Sequence, residues 1–153
     1  MARLDGFHEA YRKHMLAVAC PSFDATPFVR GPTMAERRVA IVSTAGLYVR
    51  GDRPLTTIAS DYRIVPGDVS ANDLLMSHIS VNYDRSGFQQ DWNVVFPIDR
   101  LRELALRGEI GSVADFHYSF MGAVGPEQLE ANAGDLGRLL QRDGVTAALL
   151  VPV

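Results

Sequence analysis

The sequence predicts a single α/β domain with an open, mainly parallel β-sheet flanked by helices. Three short apolar runs have the character of buried strands, and they cover residues 39–44, 113–121 and 145–151. Helical segments lie between these runs, and a strand, helix, strand order implies a right-handed crossover between parallel strands. The predicted domain spans residues 1–153, in which residues 1–38 form an N-terminal helix and a loop.

Each predicted helix has recognisable local signals. Pro97 suits a first helical turn and Gly108 suits a left-handed stop, and apolar residues recur at helical spacing between them. A longer helix is predicted to begin at Pro126 and to end before Gly144, and a first helix is predicted over residues 4–18.

Two shorter elements and one alternating pattern complete the prediction. Residues 62–65 are predicted to form a second strand that Pro66 stops. Residues 73–76 are predicted to form a short helical turn, with Ser70 or Asn72 as its N-cap. In the run 113–121, the strand period places Phe116, Tyr118 and Phe120 on one face and His117, Ser119 and Met121 on the other.

Composition argues against nucleic-acid and membrane partners. Charged residues make up 22% of the 153 residues and the net charge is −3, so no basic field attracts an anionic polymer or surface. Cys20 is the single cysteine, which excludes an internal disulfide, and we expect an inert small hydrophobe there rather than a nucleophile. With no apolar signal segment or membrane span, we expect a cytoplasmic protein.

Four titratable residues cluster around the central stretch of the chain: His78, Asp84, Asp91 and His117. Histidine and carboxylate side chains can move protons, bind substrate, ligate metal or serve as hydrogen-bonded structural groups. No compact ligand spacing such as H-x-x-x-H occurs, so no metal site is assigned. The catalytic candidates are His117, His78 and Asp91. His117 carries most weight because its strand precedes Gly122, near the expected ligand end of the sheet.

The loop after the first strand is the candidate binding loop. Ser43, Thr44, Gly46 and Arg50 could bind a carboxylate through hydroxyls, backbone N–H groups and a guanidinium. The alternative is that small residues merely permit a tight exit from the strand. We predict a ligand pocket that includes Ser43, Thr44, Arg50 and His117, because doubly wound sheets bind ligands at the carboxyl ends of their strands.

Three blocks of the sequence resemble a known family. They are NVVFPIDRLREL from Asn93, Gly108-x-Ile110-Gly111, and HYSFMG from His117. In combination they resemble the selenoprotein B component of the glycine, sarcosine, betaine and D-proline reductases, and are most similar to its short bacterial relatives. The resemblance runs from about Val39 to the last residue.

The resemblance implies a reductase component that binds a small amine or amino acid and works with other subunits of a reductase complex. It also implies a selenolate, or a thiolate in cysteine variants, for reductive cleavage of a C–N bond. The family's reactive residue belongs to a Sec-x-x-Cys block that residues 1–153 do not contain, so no cofactor is expected in this chain. Two alternatives stay open, a non-redox ligand-binding or assembly subunit and a metal-dependent hydrolase.

The last apolar run continues to the final residue, Val153, with no polar tail or closing helix. In the resembled family, the matching strand leads directly to the selenocysteine. We therefore expect this chain to be the N-terminal part of a longer selenoprotein, with selenocysteine at position 154, and to lack redox activity itself. The alternative is a natural short protein whose last strand is covered by a partner. An uncovered apolar strand also favours a homo-oligomer.

The gene tests this expectation. Selenocysteine is encoded by UGA, so we predict a UGA at codon 154, followed in frame by coding sequence with a nearby cysteine codon. Sequencing past codon 153 checks the prediction, and a UAA or UAG at that codon would contradict it.

Overall fold

The computed structural model describes residues 4–19, 22, 24, 28–56, 60–80 and 83–153. The chain divides into two compact units, Met1–Arg30 and Gly31–Val153. Cys20 lies outside the described residues, so the expectation about its thiol stays a prediction.

The first unit contains a 3-10 turn at Leu4–Gly6 and the helix α1, Glu9–Ala17. His8 is the N-cap, and its Nδ1 accepts a hydrogen bond from the N–H of Ala10 at 3.4 Å. The predicted first helix is therefore confirmed over a shorter range. All nine residues of α1 are described, and none of them is buried.

The described residues of the second unit form seven strands and three helices. The strands are β1 (Arg38–Ser43), β2 (Leu47–Val49), β3 (Arg63–Pro66), β4 (Leu74–Met76), β5 (Ser112–Val113), β6 (Phe116–Ser119) and β7 (Ala147–Val151). The helices are α2 (Ser86–Gln90), α3 (Ile98–Leu106) and α4 (Pro126–Arg142), and 3-10 turns occupy Met34–Glu36, Ala71–Asp73 and Trp92–Val94. Across the described residues, no helix combines the length and the apolar character needed to cross a membrane.

Strand β1 is the centre of the main sheet. It pairs in parallel with β5 and β6 along one edge and with β7 along the other, and β3 adds to β6 in the antiparallel direction. The predicted open, mainly parallel sheet flanked by helices is confirmed. The middle predicted run is divided at Ala114 and Asp115 into β5 and β6, and the other two runs form β1 and β7.

Strands β2 and β4 form a second, two-stranded antiparallel sheet. The predicted helical turn over residues 73–76 is wrong, because residues 74–76 form β4 and pair with β2, which buries Leu74. The helical turn lies just before, at residues 71–73, and its N-cap is Ser70, one of the two residues proposed as the cap, which accepts from the N–H of Asn72. The predicted strand at residues 62–65 is confirmed as β3.

Side chains alternate between two apolar layers on the two faces of the sheet. One layer joins Val39 and Ile41 to Phe96 and to Ile98 and Leu101 of α3. The other joins Tyr118 and Phe120 to Leu136 of α4. The predicted alternation along β6 is therefore confirmed, with His117, Ser119 and Met121 opposite the aromatic face and fully buried.

Arg38 ties three segments together at the amino end of β1. Its guanidinium donates to the carboxylate of Asp143 at 2.6 Å and to the carbonyl of Val113 at 3.0 Å, and it forms an ion pair with Asp115 at 3.0 Å. The Asp143 side chain is only 14% exposed, so this pair is shielded from solvent. The end of α4 and the β5–β6 junction are thereby fixed against β1.

Candidate functional site

A small cavity lies where the carboxyl ends of the parallel strands meet. Its volume is about 260 Å³, and its walls come from the two loops that follow β4 and β6 and from the residue that follows β7 by two positions. The lining residues are His78, Ser80, Tyr83, Gly122, Ala123 and Val153. The carboxyl ends of parallel strands are where α/β sheets bind ligands, so this cavity is the candidate site.

Thr44 holds Val153 in the wall of the cavity. The Thr44 hydroxyl accepts a hydrogen bond from the N–H of Val153 at 2.8 Å. The same hydroxyl donates to the carbonyl oxygen of Val153 at 3.3 Å. The N–H of Thr44 donates to the carbonyl of Val151 at 3.0 Å. Because these bonds extend the β1–β7 pairing past its last strand residue, the backbone at Val153 has a fixed position.

Two glycines allow the loops to approach closely. Gly46 has a positive φ of 68°, its N–H donates to the Phe120 carbonyl at 2.9 Å, and a Cβ there would lie 3.0 Å from the N atom of His78. A Cβ at Gly122 would overlap the carbonyl oxygen of Val153 and would lie 2.8 Å from that of Thr44. Only residues without a side chain fit at these two positions.

His78 lies in the cavity wall with 5% of its surface exposed. Its Nδ1 accepts from the N–H of Ser80 at 3.2 Å, which places the ring proton on Nε2. Burial lowers the pKa of His78, and the Arg85 guanidinium lowers it further, while a hydrogen bond to the backbone of Val153 raises it. The ring is therefore neutral near pH 7. Its Nε2 is shielded from solvent and, apart from this Val153 contact, has no hydrogen-bond partner among the described residues.

Tyr83 faces the same cavity. Its ring centroid lies 5.1 Å from that of His78 with an interplanar angle of 57°. Burial raises the pKa of the Tyr83 phenol, and the charge of Asp84 raises it further, so the phenol is neutral at physiological pH. Asp84 itself is exposed and accepts from the N–H of Ser86 at 2.9 Å, and this bond lowers its pKa.

His117 has a structural position rather than a place in the cavity lining. The carbonyls of Val39 and Ser43 accept hydrogen bonds from the β5–β6 side, but the break between those strands removes a backbone partner for the N–H of Ile41. The Nδ1 of His117 accepts that N–H at 2.9 Å, and the ring packs edge-on against Phe96. The side chain thus repairs the sheet where the neighbouring strand is interrupted.

The environment of His117 keeps its ring uncharged. Burial is the main cause that lowers its pKa to about 4, and the nearby Arg102 contributes in the same direction. Its Nε2 has no hydrogen-bond partner among the described residues. A catalytic role for His117 stays a prediction, and its observed contacts are those of a buried structural histidine.

The other predicted site residues, Ser43, Arg50 and Asp91, do not line the cavity. Ser43 is fully buried, and its hydroxyl accepts from the N–H of Ala45 at 3.2 Å. Arg50 lies beyond β2, where its guanidinium contacts Asp73 at 3.3 Å. Asp91 caps the 3-10 turn through Asn93, whose side chain is the main cause that lowers the pKa of Asp91. Their functional roles stay predictions.

Of the predicted residues, the structure brings His78, Thr44 and Gly46 together at the cavity. Ser80, Tyr83, Ala123 and Val153 line the cavity but were not predicted as site residues, and Gly122 served only to mark the expected ligand end of the sheet. The local signal for Tyr83 as a site residue is weak, because it consists only of an acidic neighbour, Asp84, just before the start of α2. The position of Val153 in the wall depends on contacts across more than a hundred residues of sequence.

A larger cavity, of about 530 Å³, is lined by residues at the start of β6, the end of β3 and α3. Two of its three charged side chains have charged partners, since Arg102 contacts Asp99 and Asp115 contacts Arg38, and the third is Asp68. The smaller cavity is the better candidate, because it lies at the carboxyl ends of parallel strands and contains a buried, neutral histidine. Among the described residues, no group of three His, Cys, Asp or Glu side chains is arranged to hold a metal ion.

Comparison with known proteins places the chain among the reductase components. Residues 10–153 match the family model described as glycine/sarcosine/betaine reductase selenoprotein B. The D-proline reductase subunit gamma of Acetoanaerobium sticklandii is 36% identical over 121 residues, which are 76% of this chain and 49% of that protein. No solved structure matches the chain.

Two further relatives are similar over most of this chain. The sarcosine reductase complex component B subunit beta of Peptoclostridium acidaminophilum is 32% identical over 143 residues, and the glycine reductase complex component B subunit gamma of Carboxydothermus hydrogenoformans is 29% identical over 143 residues. Each match covers 85% of this chain and 31% of the relative. The matched part of the chain therefore spans about a third to a half of the length of these relatives.

The close packing at Gly122 leads to a first prediction from the structure. Gly122→Ala should lower the free energy of unfolding by about 1–3 kcal/mol, because the new methyl group overlaps the carbonyls of Val153 and Thr44. Gly134→Ala is the matched control, since Gly134 lies inside α4 with no atom within 4 Å of a new Cβ, and it should raise stability by about 0.5–1 kcal/mol. Urea unfolding measures both, and equal effects of the two substitutions would contradict the packing argument.

The neutral state of His117 predicts a dependence of stability on pH. Below about pH 6.5 the unfolded chain binds a proton that the native ring, with a pKa of about 4, does not bind. The stabilising contribution is therefore fully present above about pH 6.5 and falls by about 1.4 kcal/mol per pH unit as the pH decreases toward 4. His117→Asn keeps an acceptor for the Ile41 N–H but does not titrate. Urea unfolding from pH 7 to 4.5 should show a shallower slope in this variant, and parallel curves would disprove the assignment.

Proposed function

This chain belongs to the glycine/sarcosine/betaine reductase selenoprotein B family, and from that premise we propose that it forms the substrate-binding part of a reductase component. The proposed substrate is a small amine or amino acid whose C–N bond is cleaved reductively. The relatives are subunits of D-proline, sarcosine and glycine reductases by name, and these names support this substrate class.

The observation that carries the proposal is the position of Val153 beside His78 and Tyr83 in one cavity. Two loops and Val153, which are distant from one another in sequence, converge there, and the Thr44 hydroxyl fixes the Val153 backbone. A volume of about 260 Å³ suits a ligand of amino-acid size, since drug-sized ligands occupy pockets of roughly 300–1,000 Å³. The cavity is therefore matched to the size of the proposed substrates.

The lining side chains supply complementary contacts for such a ligand. The neutral imidazole of His78 carries its proton on Nε2 and can donate it to a carboxylate or carbonyl oxygen of the substrate. The face of the Tyr83 ring can hold an ammonium or a quaternary amine through a cation–π contact. Together these residues would orient both ends of a small amino acid.

The reducing group is proposed to lie outside residues 1–153, at a residue that follows Val153. The residues present fit such a group, because the Thr44, Gly122 and His78 contacts hold Val153 in the cavity wall and would direct an attached residue toward the ligand. A selenol and a thiol supply two hydrogen atoms, so that the C–N bond is replaced by a C–H and an N–H bond while selenium and sulfur join. Within this chain, the residues bind and orient the substrate.

We also propose that the protein acts in the cytoplasm as part of a larger assembly with other reductase subunits. The relatives are named as subunits of reductases, and two of them as subunits of complexes. Strand β7 pairs with β1 along one edge only, and Leu149 and Leu150 are 37% and 65% exposed. Apolar side chains on an edge strand favour contact with another subunit, which includes a second copy of this chain.

A non-redox ligand-binding or assembly subunit is the second candidate function. The observation in its favour is that residues 1–153 contain a single cysteine, Cys20. Both candidates require ligand binding in the cavity, but only the reductase component carries a reducing group. Selenium analysis of the protein from its native host separates them, since the reductase component should contain selenium and the non-redox subunit should not. The described residues give no support to a metal-dependent hydrolase.

The binding proposal predicts that His78→Gln weakens binding of the cognate ligand by about tenfold, because one hydrogen bond to a charged group is lost. Isothermal titration with glycine, sarcosine, betaine and D-proline measures the effect. His14→Gln, at an exposed position on α1, is the matched control and should leave affinity unchanged. Equal affinities of the His78 variant and the parent protein would overturn the assignment of the cavity.

A further inference from the structure

Arg85 contacts the rim of the candidate cavity from outside its lining. Its guanidinium donates to the main-chain carbonyl of His78 and, at 3.3 Å, to that of Ser80. These two residues contribute side chains to the cavity wall on either side of Ile79. A single cation therefore holds two backbone carbonyls of the segment from which the cavity histidine projects.

The choice of arginine matters for this contact. A planar guanidinium presents several N–H groups in a fixed arrangement, whereas a lysine ammonium is a compact charge on a flexible stem. Hydrogen bonds from a charged donor are also stronger than those between neutral groups. Arg85 can thus restrain the segment 78–80, and the Nδ1 contact of His78 with the Ser80 N–H lies inside that same restrained segment.

We propose that Arg85 is a positioning residue for the cavity: by holding the carbonyls of His78 and Ser80 it fixes the orientation of the His78 ring against Tyr83. This inference rests on the proposed function where it concerns the ligand, but the arrangement of the ring can be tested without any ligand. Arg85 acts through His78 and does not contact the substrate itself.

The charge of Arg85 gives this arrangement a spectroscopic signature. The groups around the His78 ring are Arg85, the neutral phenol of Tyr83 and the backbone of Val153, and Asp84 lies beyond Tyr83. After burial, Arg85 is the next cause that lowers the pKa of His78. Removing its charge should therefore raise the pKa of His78, which reports that the charge lies near the ring, whereas weaker binding in a variant that keeps the charge reports the loss of the positioning contacts.

The experiment compares Arg85→Gln and Arg85→Lys in the full chain. Arg85→Gln should raise the pKa of His78, measured by NMR titration, and should weaken binding of the cognate ligand among glycine, sarcosine, betaine and D-proline by about tenfold. Arg85→Lys keeps the charge but not the paired contacts, so it should keep the low pKa and still weaken binding. Arg100→Gln, which removes an exposed ion pair with Glu103 on α3, is the matched control and should change neither quantity.

The outcomes separate this inference from the proposed function. A raised pKa in Arg85→Gln with weaker binding supports both. In a second outcome, the parent protein binds none of the four ligands while Arg85→Gln still raises the pKa of His78. That outcome supports the role of Arg85 and contradicts the proposed substrate class. If Arg85→Gln is too unstable to titrate, Arg85→Lys decides, and parent-like affinity in that variant overturns the inference. An unchanged His78 titration in Arg85→Gln overturns it as well.

Discussion

The main sheet depends on hydrogen-bond partners for the backbone N–H and C=O groups along both edges of β1. Its even-numbered residues bond to β7 and its odd-numbered residues bond to the β5–β6 side, as the contacts of Thr44 and of Val39 and Ser43 show. A buried N–H without a partner costs free energy comparable to a lost hydrogen bond, so the break between β5 and β6 must be compensated at Ile41. The His117 ring provides the compensation, and burial keeps the ring neutral so that its Nδ1 can accept.

The same strand positions the candidate site. β1 ends at Ser43, and the next residues bring the Thr44 hydroxyl to Val153 and the Gly46 backbone to Ser77 and Phe120. Close approach at Gly46 and Gly122 excludes side chains there, and the space between the converging loops is the cavity. The cavity is thus a consequence of how tightly the strand ends are joined, with His78 and Tyr83 supplying its polar and aromatic surfaces.

Family membership and the geometry of the site complement each other. The family match covers residues 10–153 and supports a role in a reductase component, but it does not say which atoms of this chain meet the substrate. The cavity beside Val153 gives that role a location. Because the chain spans about half or less of its relatives, the substrate and the reducing group belong to the proposal rather than to the family assignment.

The sequence by itself determined the elements whose signals are local. Pro97, Gly108 and Pro126 marked helix ends correctly, and the apolar runs marked β1 and β7, because capping and side-chain periodicity act over a few residues. It also carried the family resemblance, since blocks such as the one from His117 to Gly122 are readable without a structure. The short β4 was mistaken for a helical turn because its partner, β2, lies 25 or more residues earlier in the chain.

Only the tertiary structure decided what the polar residues do. His117 seemed the best catalytic candidate by its position in a strand, but the N–H that it accepts belongs to Ile41, 76 residues away. Tyr83 and Val153 were invisible as site residues because their roles come from packing against His78 and Thr44. Hydrogen bonds and burial depend on which distant segments meet, and that information is absent from any local pattern of residues.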